Sequence, residues 1–189
     1  MSIFVWTKIG TEAGEGVTRI IARKESERIS GAGIFWWGIG TSLGTALCDQ
    51  ARRAGGTIPV LFCEMLGRAQ SHDASPTSII RWLRWRDWAN SEFDVPSFIE
   101  VTSRGEDRKG KRKDKHYALI CHSANKIDID QTGQLFDPKN CRTLAGKVPG
   151  DSQNTALLEG SFAQSHPNGR YRIAFVANLV NPWQAMLTR

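Results

Sequence analysis

Gly31-Ala32-Gly33-Ile34-Phe35-Trp36-Trp37-Gly38-Ile39-Gly40-Thr41-Ser42-Leu43-Gly44 is the stretch on which the fold turns. Gly31 to Trp37 reads as a buried strand, and Gly38 to Ser42 as a tight turn of small residues. From Leu43, the positions Leu47, Ala51 and Ala54 recur at helical intervals until Gly55-Gly56 ends the helix. Thr41 or Ser42 is the expected N-cap, and Arg52 and Arg53 complement the helix dipole at the other end. Ile58 to Met65 is the next strand, so the unit is strand, turn, helix, strand.

Working outward, Ile3 to Ile9 is a β-branched and aromatic strand stopped by Gly10. Val17, Ile20 and Ile21 sit at helical spacing ahead of a charged run from Arg23 to Arg28. Ile79 to Trp88 is read as a strand after Pro76. Phe98 to Ser103 and His116 to Ser123 are read as two arms of a hairpin whose tip is a basic loop over residues 104–115. Ile127 to Pro149 is loop-rich, and Tyr171 to Leu179 is a last strand before Asn181-Pro182-Trp183 and a short tail. Strands outnumber helices, which predicts a mixed α+β domain. Its expected form is a strongly curved sheet or partly closed β-barrel flanked by a few helices. One domain is expected over residues 1–189, because Gly, Pro and Ser never accumulate into a linker.

The 189 residues are 40% hydrophobic and 23% charged, which excludes a wholly disordered chain and a collagen-like repeat. No apolar stretch approaches the roughly 18 residues of a membrane span. Met1 to Lys8 has no basic n-region leading into a long apolar stretch, so it reads as a strand and not a signal peptide. Cys48, Cys63, Cys121 and Cys141 form no Cys-x-x-Cys pair, and three of them lie in apolar or mixed surroundings. A reducing cytoplasm is the simplest expectation, with no membrane partner.

Chemistry-bearing patterns are few. Gly38-x-Gly40-x-x-x-Gly44 approaches a dinucleotide fingerprint but misses its spacing by one, and no chain of further strand-helix-strand units follows. Glu64 would stand where a ribose-binding acid belongs. A helix N-terminus carrying Gly40, Thr41 and Ser42 can nonetheless hold a phosphate or a polar base edge. Trp36 and Trp37 point to opposite faces of their strand, so one can fill the core while the other lines a cleft. Trp6, Trp82, Trp85 and Trp88 add aromatic faces, with Arg81, Arg84 and Arg86 interleaved. Stacking faces beside guanidinium groups suit a nucleic-acid reader, although most tryptophans serve as core. Residues 104–115 carry seven Lys or Arg (Arg104, Arg108, Lys109, Lys111, Arg112, Lys113, Lys115) against three acids, in a chain of net charge +6. Such a run favours phosphate contact over a merely solvated loop.

Catalytic constellations are thin. His72, His116, His122 and His166 are scattered, and contiguous Ser71-His72-Asp73 carries little weight because folding, not adjacency, assembles a triad. Asp128 and Asp130 read as a turn-forming pair more readily than as cation ligands. No catalytic residue, metal site or cofactor is expected.

The order of elements resembles the PUA-like superfamily, in particular EVE, YTH and ASCH-type domains. The residues carrying the likeness are Phe4-Val5-Trp6-Thr7-Lys8, Ile34 to Gly44, and the strand from Val60 to Met65. The resemblance implies a small, partly closed barrel that binds RNA or DNA and holds a modified or flipped base in an aromatic cage. Catalysis would then belong to a separately encoded nuclease or modifying enzyme. Trp36 or Trp37 would be one cage wall and Trp6 or Trp82 another, with Thr41 and Ser42 on a base edge or phosphate. Gly40 and the basic residues from Arg104 to Lys115 would meet the backbone. The first expectation is therefore a non-catalytic nucleic-acid-binding domain that reads a base. The alternatives are a small nucleotide- or phosphate-binding enzyme built on the Gly38–Gly44 turn, and a Trp-rich protein-interaction module.

Overall fold

The chain forms β1 (Ser2–Lys8), α1 (Val17–Ser30), β2 (Ile34–Ile39), α2 (Gly44–Arg53), β3 (Pro59–Met65), β4 (Trp82–Arg84), β5 (Thr102–Arg104), β6 (Lys115–His122), β7 (Leu135–Phe136), β8 (Arg142–Thr143), β9 (Thr155–Gly160) and β10 (Tyr171–Thr188). These come from a computed structural model that describes residues 2–10, 16–67, 82–84, 95–99, 102–104 and 115–188. The main sheet runs β2-β6-β10-β3-β1-β9-β8, with β7 added beside β10. Among the described residues only β1 and β3 pair in parallel, and the other ladders of this sheet are antiparallel. The architecture is mixed α+β. Among the described residues β2 and β8 end the sheet without pairing, so it is open.

Strand alternation sorts side chains into three clusters. One face carries Val5, Phe35, Trp37, Val60, Phe62, Leu119 and Phe175, together with Val17, Ile20 and Ile21 of α1 and Leu47 and Ala51 of α2. The reverse face is covered in two separate patches. Under the β1-β3-β9 half, Phe4, Trp6, Leu61 and Leu158 pack with Phe136 and Tyr171. Under the β2-β6 half, Trp36, Ala118 and Ile120 pack with Ile99, Ala185 and Leu187. Burial on both faces is why Ile34 to Trp37 and Val60 to Cys63 read as unbroken apolar runs rather than alternating ones.

Several expectations need correction. β5 pairs with β4 in a separate two-stranded sheet, while β6 lies between β2 and β10, so among the described residues the two proposed hairpin arms do not meet. The tail after Leu179 is strand: β10 shifts register between Leu179 and Gln184 and then pairs with β6 as far as Thr188. The segment holding Pro182 is the interruption, which proline forces because it lacks an N–H for the ladder. β9 was not expected at all. α2 joins strands separated by β6 and β10, and its N-cap position is Leu43, without a side-chain cap. At the α1–β2 turn Gly33 has φ +99°, and a Cβ there would stand 2.5 Å from the His122 Nε2, so only glycine fits.

Candidate functional site

The basic run is framed by two strands. Arg104 ends β5, where it is paired with Trp82 of β4, and exposed Lys115 opens β6 opposite Thr188. Because β6 lies between β2 and β10 and Lys115 itself pairs with Thr188 of β10, one end of the run is anchored in the main sheet. Arg108, Lys109, Lys111, Arg112 and Lys113 lie outside the described residues, as do Trp85 and Trp88. Of Trp82 and Arg104 only the strand positions are described.

Of the expected cage walls, Trp6, Trp36 and Trp37 are not brought together, while the side chain of Trp82 lies outside the described residues. Trp37, 6% exposed, packs edge-on against Phe62 at 4.7 Å between ring centroids. Trp36, 3% exposed, lies on the opposite face with Ile99 and Leu187. Trp6, 1% exposed, meets Tyr171 edge-on at 5.4 Å in the third cluster, and the Lys8 ammonium sits 5.4 Å from its ring centroid. Three tryptophans in three interiors offer one another no shared pocket, and they offer a protein partner no surface.

At the Gly38–Gly44 turn, Gly40, Thr41 and Ser42 are exposed, but the polar groups beside them are engaged. The Ser42 hydroxyl oxygen accepts from the Gly44 N–H at 2.9 Å and from Gln184 Nε2 at 3.0 Å. The Gln184 Oε1 accepts from the Leu43 N–H at 3.0 Å. Gln184, arriving from the far end of the chain, therefore takes up an N–H that a bound phosphate would need. Gly44 has φ +71° and open space where a Cβ would stand, so the backbone turn accounts for that glycine. Nothing in the sequence marks Gln184. Its neighbour Trp183 is also at positive φ, 69°, and packs against the largest cluster.

Charged side chains are mostly paired. Arg172 bridges Glu64 and Asp130 at 2.5 Å each, so the Glu64 carboxylate already has a cationic partner. Asp128 accepts from the Asp130 N–H at 3.4 Å, as a turn-forming acid does. Among the described residues no group of three or more His, Cys, Asp or Glu is placed to hold a metal. Cys63, Cys121 and Cys141 are buried, and burial pushes all three thiols up, away from nucleophilic thiolate. A shallow groove of about 380 Å³ opens between His122, Ala32 and exposed Ile29. No helix among the described residues is long and apolar enough to cross a membrane.

The most deeply buried charges lie at the sheet edge. Lys24 (2% exposed) and Glu27 (1% exposed) share the core-facing side of α1 with Val17, Ile20 and Ile21. The Lys24 ammonium donates to both Glu27 carboxylate oxygens at 2.8 Å and to the Trp36 carbonyl, and the Trp36 N–H donates to Glu27 Oε2 at 3.2 Å. Burial lowers the Lys24 pKa from its ordinary 10.5 to about 8, against the opposing pull of the Glu27 carboxylate. No family model matches this chain, and neither the curated proteins nor the solved structures contain a match.

Proposed function

We propose that this protein is a non-catalytic nucleic-acid-binding domain that holds phosphates with the basic run from Arg104 to Lys115. The observation that carries the reading is seven basic residues against three acids from the last residue of β5 to the first of β6, in a chain of net charge +6. A run fixed at one end in the central sheet presents its charge beside a rigid body, while counterion release supplies affinity without demanding a fixed loop geometry. The likeness to PUA-like domains supports the same class of ligand. The separation of Trp6, Trp36 and Trp37 removes support for a base cage built from them, so phosphate contact is the part carried forward. In the competing enzyme reading, the Leu43 N–H of the Gly38–Gly44 turn is already engaged by Gln184.

The test is fluorescence anisotropy with labelled single- and double-stranded DNA and RNA over a series of salt concentrations. The wild type is compared with a variant in which Arg108, Lys109, Lys111, Arg112 and Lys113 are all replaced by Gln. Each lost phosphate contact should flatten the log–log salt slope by about 0.9 on duplex DNA, or about 0.7 on single strands. The slope of the variant should therefore fall by several units. Equal slopes and affinities in the two proteins, or no binding by the wild type at low salt, would overturn the proposal.

A further inference from the structure

The β2 edge raises a problem that the rest of the sheet does not. Ile34-Phe35-Trp36-Trp37-Gly38-Ile39 is a six-residue strand with no charge and no proline, and among the described residues it pairs on one side only, with β6. A long apolar edge of this kind is a template for another strand, and every copy of the chain carries the matching segment. In an antiparallel ladder, alternate residues turn their N–H and C=O outward. Trp36 is such a residue, since its N–H goes to Glu27 and its C=O receives the Lys24 ammonium. The ion pair thus gives Trp36 the two hydrogen bonds that a neighbouring strand would give.

We propose that the Lys24–Glu27 pair is a guard that occupies the β2 edge and keeps it from pairing with β2 of a second copy. Two features of α1 suit it to this task. Beyond Ile21 the only buried residues of the helix are Lys24 and Glu27, so its C-terminal half docks on the sheet through this pair. A further tie there is Glu25, whose carboxylate accepts from the Ile127 N–H at 2.7 Å. Replacing a buried ion pair with apolar groups is often neutral or stabilising, so its retention points to specificity more than to stability. Antiparallel pairing of two identical strands is a closed, two-fold arrangement, which makes a dimer the expected product.

Sedimentation over a concentration series tests the proposal on two double variants. Lys24→Ala with Glu27→Ala removes both hydrogen bonds to Trp36 and should form a concentration-dependent dimer whose Tm rises with protein concentration. Lys24→Gln with Glu27→Gln retains one donor and one acceptor without charge and should stay monomeric. An Ala variant that is folded but monomeric at every concentration, or a Gln variant that also dimerises, would overturn the guard. Hydrogen exchange on the wild type serves where the Ala variant does not fold. The Trp36 amide should then be protected as strongly as the Trp37 amide inside the β2–β6 ladder. Exchange at the rate of an unprotected amide would show that the guard is not made.

Discussion

The two ends of the main sheet are edges of very different character. β2 is six residues long, apolar and buried, and two charges taken out of water cover it. β8 is two residues long, carries an exposed arginine and runs straight into the Gly146 turn. A short, polar strand offers too little ladder for a second chain to use. Inboard of it, the Thr155 carbonyl of β9 receives the Gln153 side chain at 3.3 Å, a neutral version of what Lys24 does at the other end. The contrast teaches that an edge demands cover in proportion to its length and apolarity. Only the β2 edge needs a cover that is itself expensive to bury.

The comparison breaks most sharply at Glu27. Glu27→Ala leaves the Lys24 ammonium buried without its counter-charge and the Trp36 N–H without its acceptor, a change that costs about 3–5 kcal/mol. Urea unfolding should show this as a large fall in midpoint, and a loss below about 1 kcal/mol, the range of exposed pairs, would mean that the pair is not desolvated. A smaller effect comes from pH. The Lys24 pKa is about 8 in the folded chain and near 10.5 unfolded, so between these values the unfolded chain binds the proton more tightly. Stability therefore rises with pH across that window, by at most about 3 kcal/mol. The charged groups facing Lys24 are Glu27 and Arg23 of α1, and the Cys121 thiol of β6 stays neutral there because burial has pushed it up. Subtracting the curve of the Lys24→Gln, Glu27→Gln variant isolates this contribution; a flat difference between pH 8 and 10.5 would contradict it.

How far the sequence disclosed this comparison depends on where the covering residues come from. β1, β2, β3 and β6 are legible because their apolar residues are local signals. Lys24 and Glu27 were legible in principle, since they continue the helical face of Val17, Ile20 and Ile21, yet a charged run invites the solvated reading. The fate of Trp36 was not legible. Alternation correctly sends it to the face opposite Trp37, but its cover comes from Ile99, Ala185 and Leu187, more than 60 residues away. Without that cover in view, a tryptophan on the second face looks like a cleft wall. The same distance hid the Gly38–Gly44 turn, where the Leu43 N–H is taken by Gln184. The strand after Pro182 was hidden because the chain breaks register there before pairing again.

The smallest effect belongs to the β8 edge. The Thr143 hydroxyl oxygen accepts from the Lys147 N–H at 3.2 Å, while its backbone N–H donates to the Lys147 carbonyl at 2.8 Å and its carbonyl accepts from Gly146 at 2.8 Å. Thr143→Val keeps the β-branched shape and both backbone bonds and removes only the hydroxyl acceptor. The Lys147 N–H is left near solvent, where water replaces the lost partner, so the change should be about 0.5–1 kcal/mol. The variant should also stay monomeric at every concentration, because a two-residue edge gains nothing as a template when one side-chain bond goes. A dimer formed by Thr143→Val would mean that strand length does not protect this end, and that the β8 edge has a guard of its own.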